Sequence, residues 1–201
     1  MSRRKRVEEV AKAALVILDM INLLDFPEGA RLRTTAKKTA RVILGLKEKM
    51  RAGNMPVIYV NDHFGLWNSD WKEVYHRCTE EGSRGREIAK ILRPDKNDYF
   101  ILKPKHSGFY ATHFEELLRH LGVESLVLTG MAGNICVFFT AYDAHMRNYR
   151  LWIPSDGVVS NTPLDTRESL SQLKRALKVS TARSGSKTLK EIREWAAVDS
   201  R

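Results

Sequence analysis

The sequence predicts an α/β protein: a three-layer α/β/α sandwich around a mainly parallel, six-stranded, Rossmann-like sheet. Three observations carry this expectation. Short, continuously apolar runs recur along the chain, as strands buried on both faces require. Between them lie longer stretches with helical spacing of apolar residues, closed by glycine or a polar stop. The alternation of the two implies right-handed crossovers, a parallel sheet and helices on both of its faces. The 201 residues suffice for one self-supporting core, since a chain of this size buries roughly 70% of its unfolded surface.

Taken in order, Ala13–Asp19 (AALVILD) is apolar up to its closing carboxylate and reads as the first strand. Thr34–Ala52 is helical in pattern, with Ala40, Ile43, Leu44 and Leu46 apolar and Gly53 as the stop. Pro56–Val60 (PVIYV) is the second strand. Asn61–Arg84 has no clean period and reads as a long loop with local helix, a length that in compact domains usually serves function. Asp98–Leu102 is the third strand, and Phe109–Leu121 an amphipathic helix ended by Gly122. Ser125–Thr129 (SLVLT) is the fourth, followed by a glycine-bearing turn and a helix from Asn134 to Asn148. Arg150–Pro154 is the fifth strand, Pro163–Lys178 a helix, Val179–Ala182 the sixth strand and Ser186–Ala197 the last helix.

A composition of 43% hydrophobic and 29% charged residues excludes disordered and fibrous classes. No apolar run reaches the length of a membrane span. Arg3-Arg4-Lys5-Arg6 opens the chain, but Glu8, Glu9 and Lys12 interrupt any signal-peptide core, so a cytoplasmic protein is expected. Residues 1–12 read as a basic tail and 13–201 as one domain. The net charge of +10 sits at the ends: five basic and two acidic groups in residues 1–12, nine and four in 167–201, leaving the middle nearly neutral. That distribution fits solvated tails, and no nucleic-acid partner is expected. Two cysteines, Cys78 and Cys136, make neither a disulfide framework nor a cysteine zinc site.

Sheets of this kind bind ligands at the carboxyl ends of their strands. Three chemistry-bearing residues stand there. Asp19 closes the first strand, Lys103 follows the third, and Cys136 follows the fourth at the start of a helix. Strand, glycine turn and helix is a geometry that pushes a nucleophile into a cleft. A thiol in the first helical turn faces the positive end of the macrodipole, which favours thiolate, and unpaired N–H groups there can hold an oxyanion. Each residue also has a plain alternative: a small buried cysteine, a turn-capping carboxylate, a solvated lysine. Their convergence as base, cation and thiol favours nucleophilic chemistry.

Leu15–Leu24 (LVILDMINLL), Tyr99–Phe109 (YFILKPKHSGF), Leu126–Ala144 (LVLTGMAGNICVFFTAYDA) and Trp152–Gly157 (WIPSDG) resemble the isochorismatase-like cysteine hydrolases, the superfamily of nicotinamidases and N-carbamoylsarcosine amidases. The resemblance spans residues 13–183. It implies an Asp–Lys–Cys triad, which falls on Asp19, Lys103 and Cys136, a cis peptide at Met131–Ala132, and an oxyanion hole from the Ala132 and Cys136 N–H groups. It also implies a small-molecule amide or carbamoyl substrate, no cofactor, and a homo-oligomer, dimer or tetramer. Asn22, Phe64, Trp67 and Phe109 are the candidate substrate contacts. Two departures stand out. The first motif reads Asp19-Met20-Ile21-Asn22-Leu23-Leu24 where many members have Asp-x-Gln-Asn-Asp-Phe. Asp62 and His63 are adjacent where nicotinamidases space an Asp-x-His metal pair, so no metal is expected. A metal-dependent nicotinamidase or another small-substrate hydrolase of the same fold, and a non-catalytic binding or scaffold protein meeting an acidic partner through its basic ends, are the alternatives.

Overall fold

The computed structural model describes residues 12–198. The expected basic tail therefore lies outside the described residues except for Lys12, which pairs with Glu124 at 3.5 Å. The elements are β1 (Ala13–Leu18), α1 (Gly29–Ala52), β2 (Val57–Asp62), α2 (Trp71–Thr79), α3 (Arg86–Ile91), β3 (Tyr99–Lys103), α4 (Phe114–His120), β4 (Ser125–Gly130), α5 (Cys136–Met146), β5 (Arg150–Trp152), α6 (Pro163–Leu177), a 3-10 turn (Ser184–Ser186) and α7 (Leu189–Ala197). All strand pairs are parallel, in the order β3-β2-β1-β4-β5. Among the described residues no helix is long and apolar enough to cross a membrane.

The sheet has five strands, not the expected six. Val179–Ala182 makes only an isolated bridge, Ser180 to Trp152. β5 stops after three residues, and Pro154 beyond it has no N–H to extend a ladder. One backbone bond remains, from the Ile153 N–H to the Ser180 carbonyl at 2.9 Å. Two residues on, the Trp152 indole N–H donates to the Ala182 carbonyl at 2.8 Å, so a side chain holds the end of the segment.

The apolar runs are explained by burial on two faces. Ala13, Leu15 and Ile17 of β1 pack into one cluster with Leu32, Ala36, Ala40 and Ile43 of α1 and Ile192 of α7. Ala14, Val16 and Leu18 pack into the other, with Phe114 and Leu118 of α4, Val137 and Ala141 of α5 and Leu173 of α6. Each fully buried valine, leucine, isoleucine or phenylalanine among them contributes about 1.5–3 kcal/mol, so helices are held on both sides of the sheet. α1 starts five residues before the expected Thr34, and α4 five after the expected Phe109. The segment read as a loop contains α2, whose first turn is capped by Asp70 accepting from the Lys72 and Glu73 N–H groups. α6 and α7 open on capping boxes, Thr162 with Asp165 and Thr188 with Glu191.

β1 is central, and its neighbours β2 and β4 lead in opposite directions along the sheet. The carboxyl ends of β1, β2, β3 and β4 thus meet at the switch point where such sheets bind ligands. Gly130, which ends β4, has φ +115°, and an added Cβ would lie 2.1 Å from the Leu18 carbonyl oxygen. Only glycine lets the chain leave β4 this close to the end of β1.

Candidate active site

Asp19 follows β1 in a left-handed backbone conformation, φ 51°, which aspartate tolerates better than most residues. Its N–H donates to the Val60 carbonyl at 3.0 Å, anchoring it beside β2. One carboxylate oxygen, Oδ1, accepts the Asp62 N–H at 2.7 Å. The other, Oδ2, lies 2.8 Å from Lys103 Nζ. Lys103, the last residue of β3, is fully buried and also donates to Cys136 Sγ at 3.6 Å. Three residues separated by 84 and 33 positions in sequence therefore converge on one point. Although paired by charge with Lys103, Oδ2 accepts no well-directed hydrogen bond, and the Cys136 thiol is within its hydrogen-bonding reach.

The electrostatics correct one expectation. Burial pushes the Cys136 thiol up to about 12, the Asp19 carboxylate adds to this, and Lys103 offsets only part of it. Cys136 is therefore held as a neutral thiol: its position inside the site outweighs the helix start. Burial likewise raises the Asp19 carboxyl above its ordinary value against the pull of Lys103, which makes it a stronger base. For Lys103, burial works against the charge, but Asp19, Cys136 and Asp62 together hold its pKa above that of an ordinary lysine. Cys78 is fully buried, and that burial lifts its thiol to about 12 as well, with Arg77 opposing it.

Cys136 opens α5, and the turn before it supplies donors. The Met131–Ala132 peptide is cis. The N–H groups of Gly133, Ile135 and Val137 are paired, whereas those of Ala132 and Cys136 find no acceptor among the described residues. Two unpaired N–H groups beside a thiol make a site for a developing oxyanion. Asn61, which sequence reading did not single out, holds the loop after Asp19: its Nδ2 donates to the Ile21 carbonyl at 2.8 Å and its Oδ1 accepts the Ile21 N–H at 3.2 Å. A polar residue directly after the apolar run Pro56–Val60 was the available signal.

A cavity of about 350 Å³ opens onto the thiol, near the lower end of the volumes of small-molecule sites. Asp19, Cys136, Ala132, Asn22 and Phe64 line it, joined by Phe26, Glu28, Leu32, Asp62, Met131, Ile135 and Asn161. Two of the expected substrate contacts are not among these residues. Trp67 is 79% exposed, its ring tilted against His63 at 4.4 Å. Phe109 is buried against Phe114, at 4.9 Å, and lies beneath the Arg147 guanidinium. A larger cavity of about 630 Å³ lies at the opposite end of the strands, around Arg51, Asp95 and Asp98. Asp98 there forms a buried pair with Lys47 at 2.8 Å, and no cysteine, serine or threonine lines that cavity.

Asp62 and His63 are each engaged by the backbone of the loop that follows them. Asp62 Oδ1 accepts the Phe64 N–H at 2.6 Å, and His63 Nδ1 accepts the Gly65 N–H at 3.0 Å. Among the described residues no group of three His, Cys, Asp or Glu side chains is placed to hold an ion.

Known proteins share this sequence pattern and this fold. A family model for the isochorismatase domain matches residues 13–184. The uncharacterized isochorismatase family protein YaaI of Bacillus subtilis is 45% identical over 170 residues, which cover 83% of this chain and 91% of that protein. Ureidoacrylate amidohydrolase RutB of Methylorubrum extorquens is 36% identical over 77 residues, covering 38% of this chain and 31% of its own. The crystal structure of N-carbamoylsarcosine amidase from Thermoplasma acidophilum superposes with a TM-score of 0.64 at 30% identity, covering 86% of this chain and 96% of that one.

Proposed function

Because the chain belongs to the isochorismatase family, we propose that it is a cytoplasmic cysteine hydrolase that cleaves the C–N bond of a small amide or carbamoyl compound through a thioester on Cys136. The observation that carries this reading is the contact set of Asp19, Lys103 and Cys136, at 2.8 and 3.6 Å, at the mouth of a small cavity. The amidase names among the relatives support the bond type.

The chemistry proceeds in two halves. Asp19 takes the Sγ proton as sulfur attacks the carbonyl carbon, so thiolate forms only as it is used. The C=O pair becomes an oxyanion held by the Ala132 and Cys136 N–H groups. Its collapse expels the amine or ammonia, which leaves with the proton stored on Asp19. Water then loses a proton to Asp19 and adds to the thioester. The second collapse returns that proton to sulfur and releases the acid. Lys103 keeps Asp19 ionised between steps and orients it. No cofactor or metal enters any step.

Exposed Tyr110, Phe139 and Met146, at 58%, 50% and 68%, support a homo-oligomer, a dimer or tetramer, whose mass in solution reads its state. The activity is tested by ammonia release from a panel of small amides. Wild-type protein is expected to release ammonia from at least one of them before and after exhaustive chelation, and Cys136→Ala from none. Activity lost with a stoichiometric metal and restored by its return would overturn the reading.

A further inference from the structure

The catalytic cavity has a charge pattern that the reaction does not require. Three carboxylates line it: Asp19, Asp62 and Glu28. No lysine, arginine or histidine is among its lining residues. The nearest cation to the chemistry, Lys103, is fully buried and engaged by Asp19 and Cys136.

Glu28 is the unexplained member. It occupies the N-cap position of α1, yet its side chain makes no capping hydrogen bond. Among the described residues it has no ion pair either, so its carboxylate stands free at the cavity wall. A carboxylate at a cavity wall with no partner of its own is free to receive one of opposite charge. The aromatic residues Phe26 and Phe64 share that wall, and aromatic faces attract cations.

We propose that this cavity selects small amides or carbamoyl compounds carrying a positively charged nitrogen, and that Glu28 is the specificity-determining residue that receives it. The inference rests on the amide-hydrolase reading for the bond cleaved, but not for the charge preferred. An ammonium or guanidinium gains a charge-assisted contact with Glu28 and an aromatic face. A carboxylate of the same length meets Glu28 and Asp62 with no cation to offset them, which is discrimination by repulsion. Glu28 touches no reacting atom; it sets which amides are held.

Three probes of matched length separate the cases: β-alaninamide, butanamide and succinamate, which end in ammonium, methyl and carboxylate. Wild-type kcat/KM is expected to favour β-alaninamide over butanamide by about tenfold, the scale of one charge-assisted contact, and over succinamate by more. Glu28→Gln, at a position whose side chain caps nothing, is expected to collapse the ratio of the first two, mainly through KM. Glu28→Lys is expected to bring succinamate forward. Calorimetric binding of the same probes to Cys136→Ser protein reads the preference without turnover. Preferential binding of β-alaninamide that Glu28→Gln abolishes, with no probe hydrolysed by wild type, would support the charge selection and count against the hydrolase reading. Hydrolysis with butanamide or succinamate favoured, a ratio unmoved by Glu28→Gln, or no preferential binding of the cation would overturn the proposal.

Discussion

Asp19→Asn is expected to cut turnover by about 10²–10⁴-fold, the range for loss of a general base, while the Cys136 thiol pKa moves down rather than up. The two changes have one cause. Burial and the Asp19 charge together push the thiol to about 12, with Lys103 opposing. Removing the carboxylate leaves Lys103 as the main charge beside sulfur, so thiolate becomes easier to form. A more acidic thiol with less activity is the mark of a lost base. If Asp19 served only to end β1, the variant would lose stability and keep its turnover per folded molecule. Ultraviolet absorbance of the thiolate against pH, read with turnover on the same preparation, separates the two. Near-wild-type turnover in folded Asp19→Asn protein would mean the base lies elsewhere.

Lys103→Met is expected to have the next largest effect, and it reaches stability as well as rate. Lys103 is fully buried and its removal strands the Asp19 carboxylate, 5% exposed, without its cation. Breaking a buried pair from one side costs about 3–5 kcal/mol. Asp19 can lessen that cost only by taking a proton, which disables it as a base. Its carboxyl already lies above the ordinary value through burial, and Lys103 is the largest influence lowering it. The base form is lost as pH falls through that raised pKa, so the acid limb of wild-type kcat/KM should lie above the usual aspartate range of about 3.9. In Lys103→Met it should move further up. Adding Asp19→Asn to Lys103→Met removes the stranded charge. The double variant should recover part of the lost stability and be little less active than either single one, as residues acting as one device are non-additive. Denaturant midpoints and pH–rate profiles check these outcomes. A limb that stays in place would reduce Lys103 to a packing role.

Much of the site is legible in the sequence because its residues violate their surroundings. Asp19 closes an apolar run, Lys103 ends a strand that is otherwise apolar or aromatic, and Cys136 follows a glycine turn; buried-strand patterning and the strand-end rule then bring them together. Less local features were not legible. The cavity wall at Phe26, Glu28 and Leu32 comes from a stretch without period or motif, ahead of where the helical pattern of α1 becomes visible. The sixth strand shrinks to one bridge, Trp152 to Ser180, because β5 runs only three residues, ending ahead of Pro154, a length that the apolar pattern does not encode. The direction of the Cys136 shift depends on how deeply the thiol sits and how close Asp19 stands. Both follow from the assembled sheet, whereas the helix start that argued for thiolate is a local signal. Trp67 and Phe109 were drawn toward the pocket by residue type; one lies on the surface and the other faces the core under α4.

The central claim is that Cys136 carries the acyl group of the substrate as a thioester, and the covalent species tests it most directly. Protein mixed with a turned-over amide, quenched in acid within a few turnovers and digested, should show the peptide containing Cys136 heavier by the acyl group. The peptide containing Cys78 should be unmodified, and the added mass should vanish on brief treatment with hydroxylamine. Cys136→Ala protein should show no acylated peptide and no ammonia release. Undiminished ammonia release from folded Cys136→Ala protein, or an acyl group found on another residue, would contradict the account.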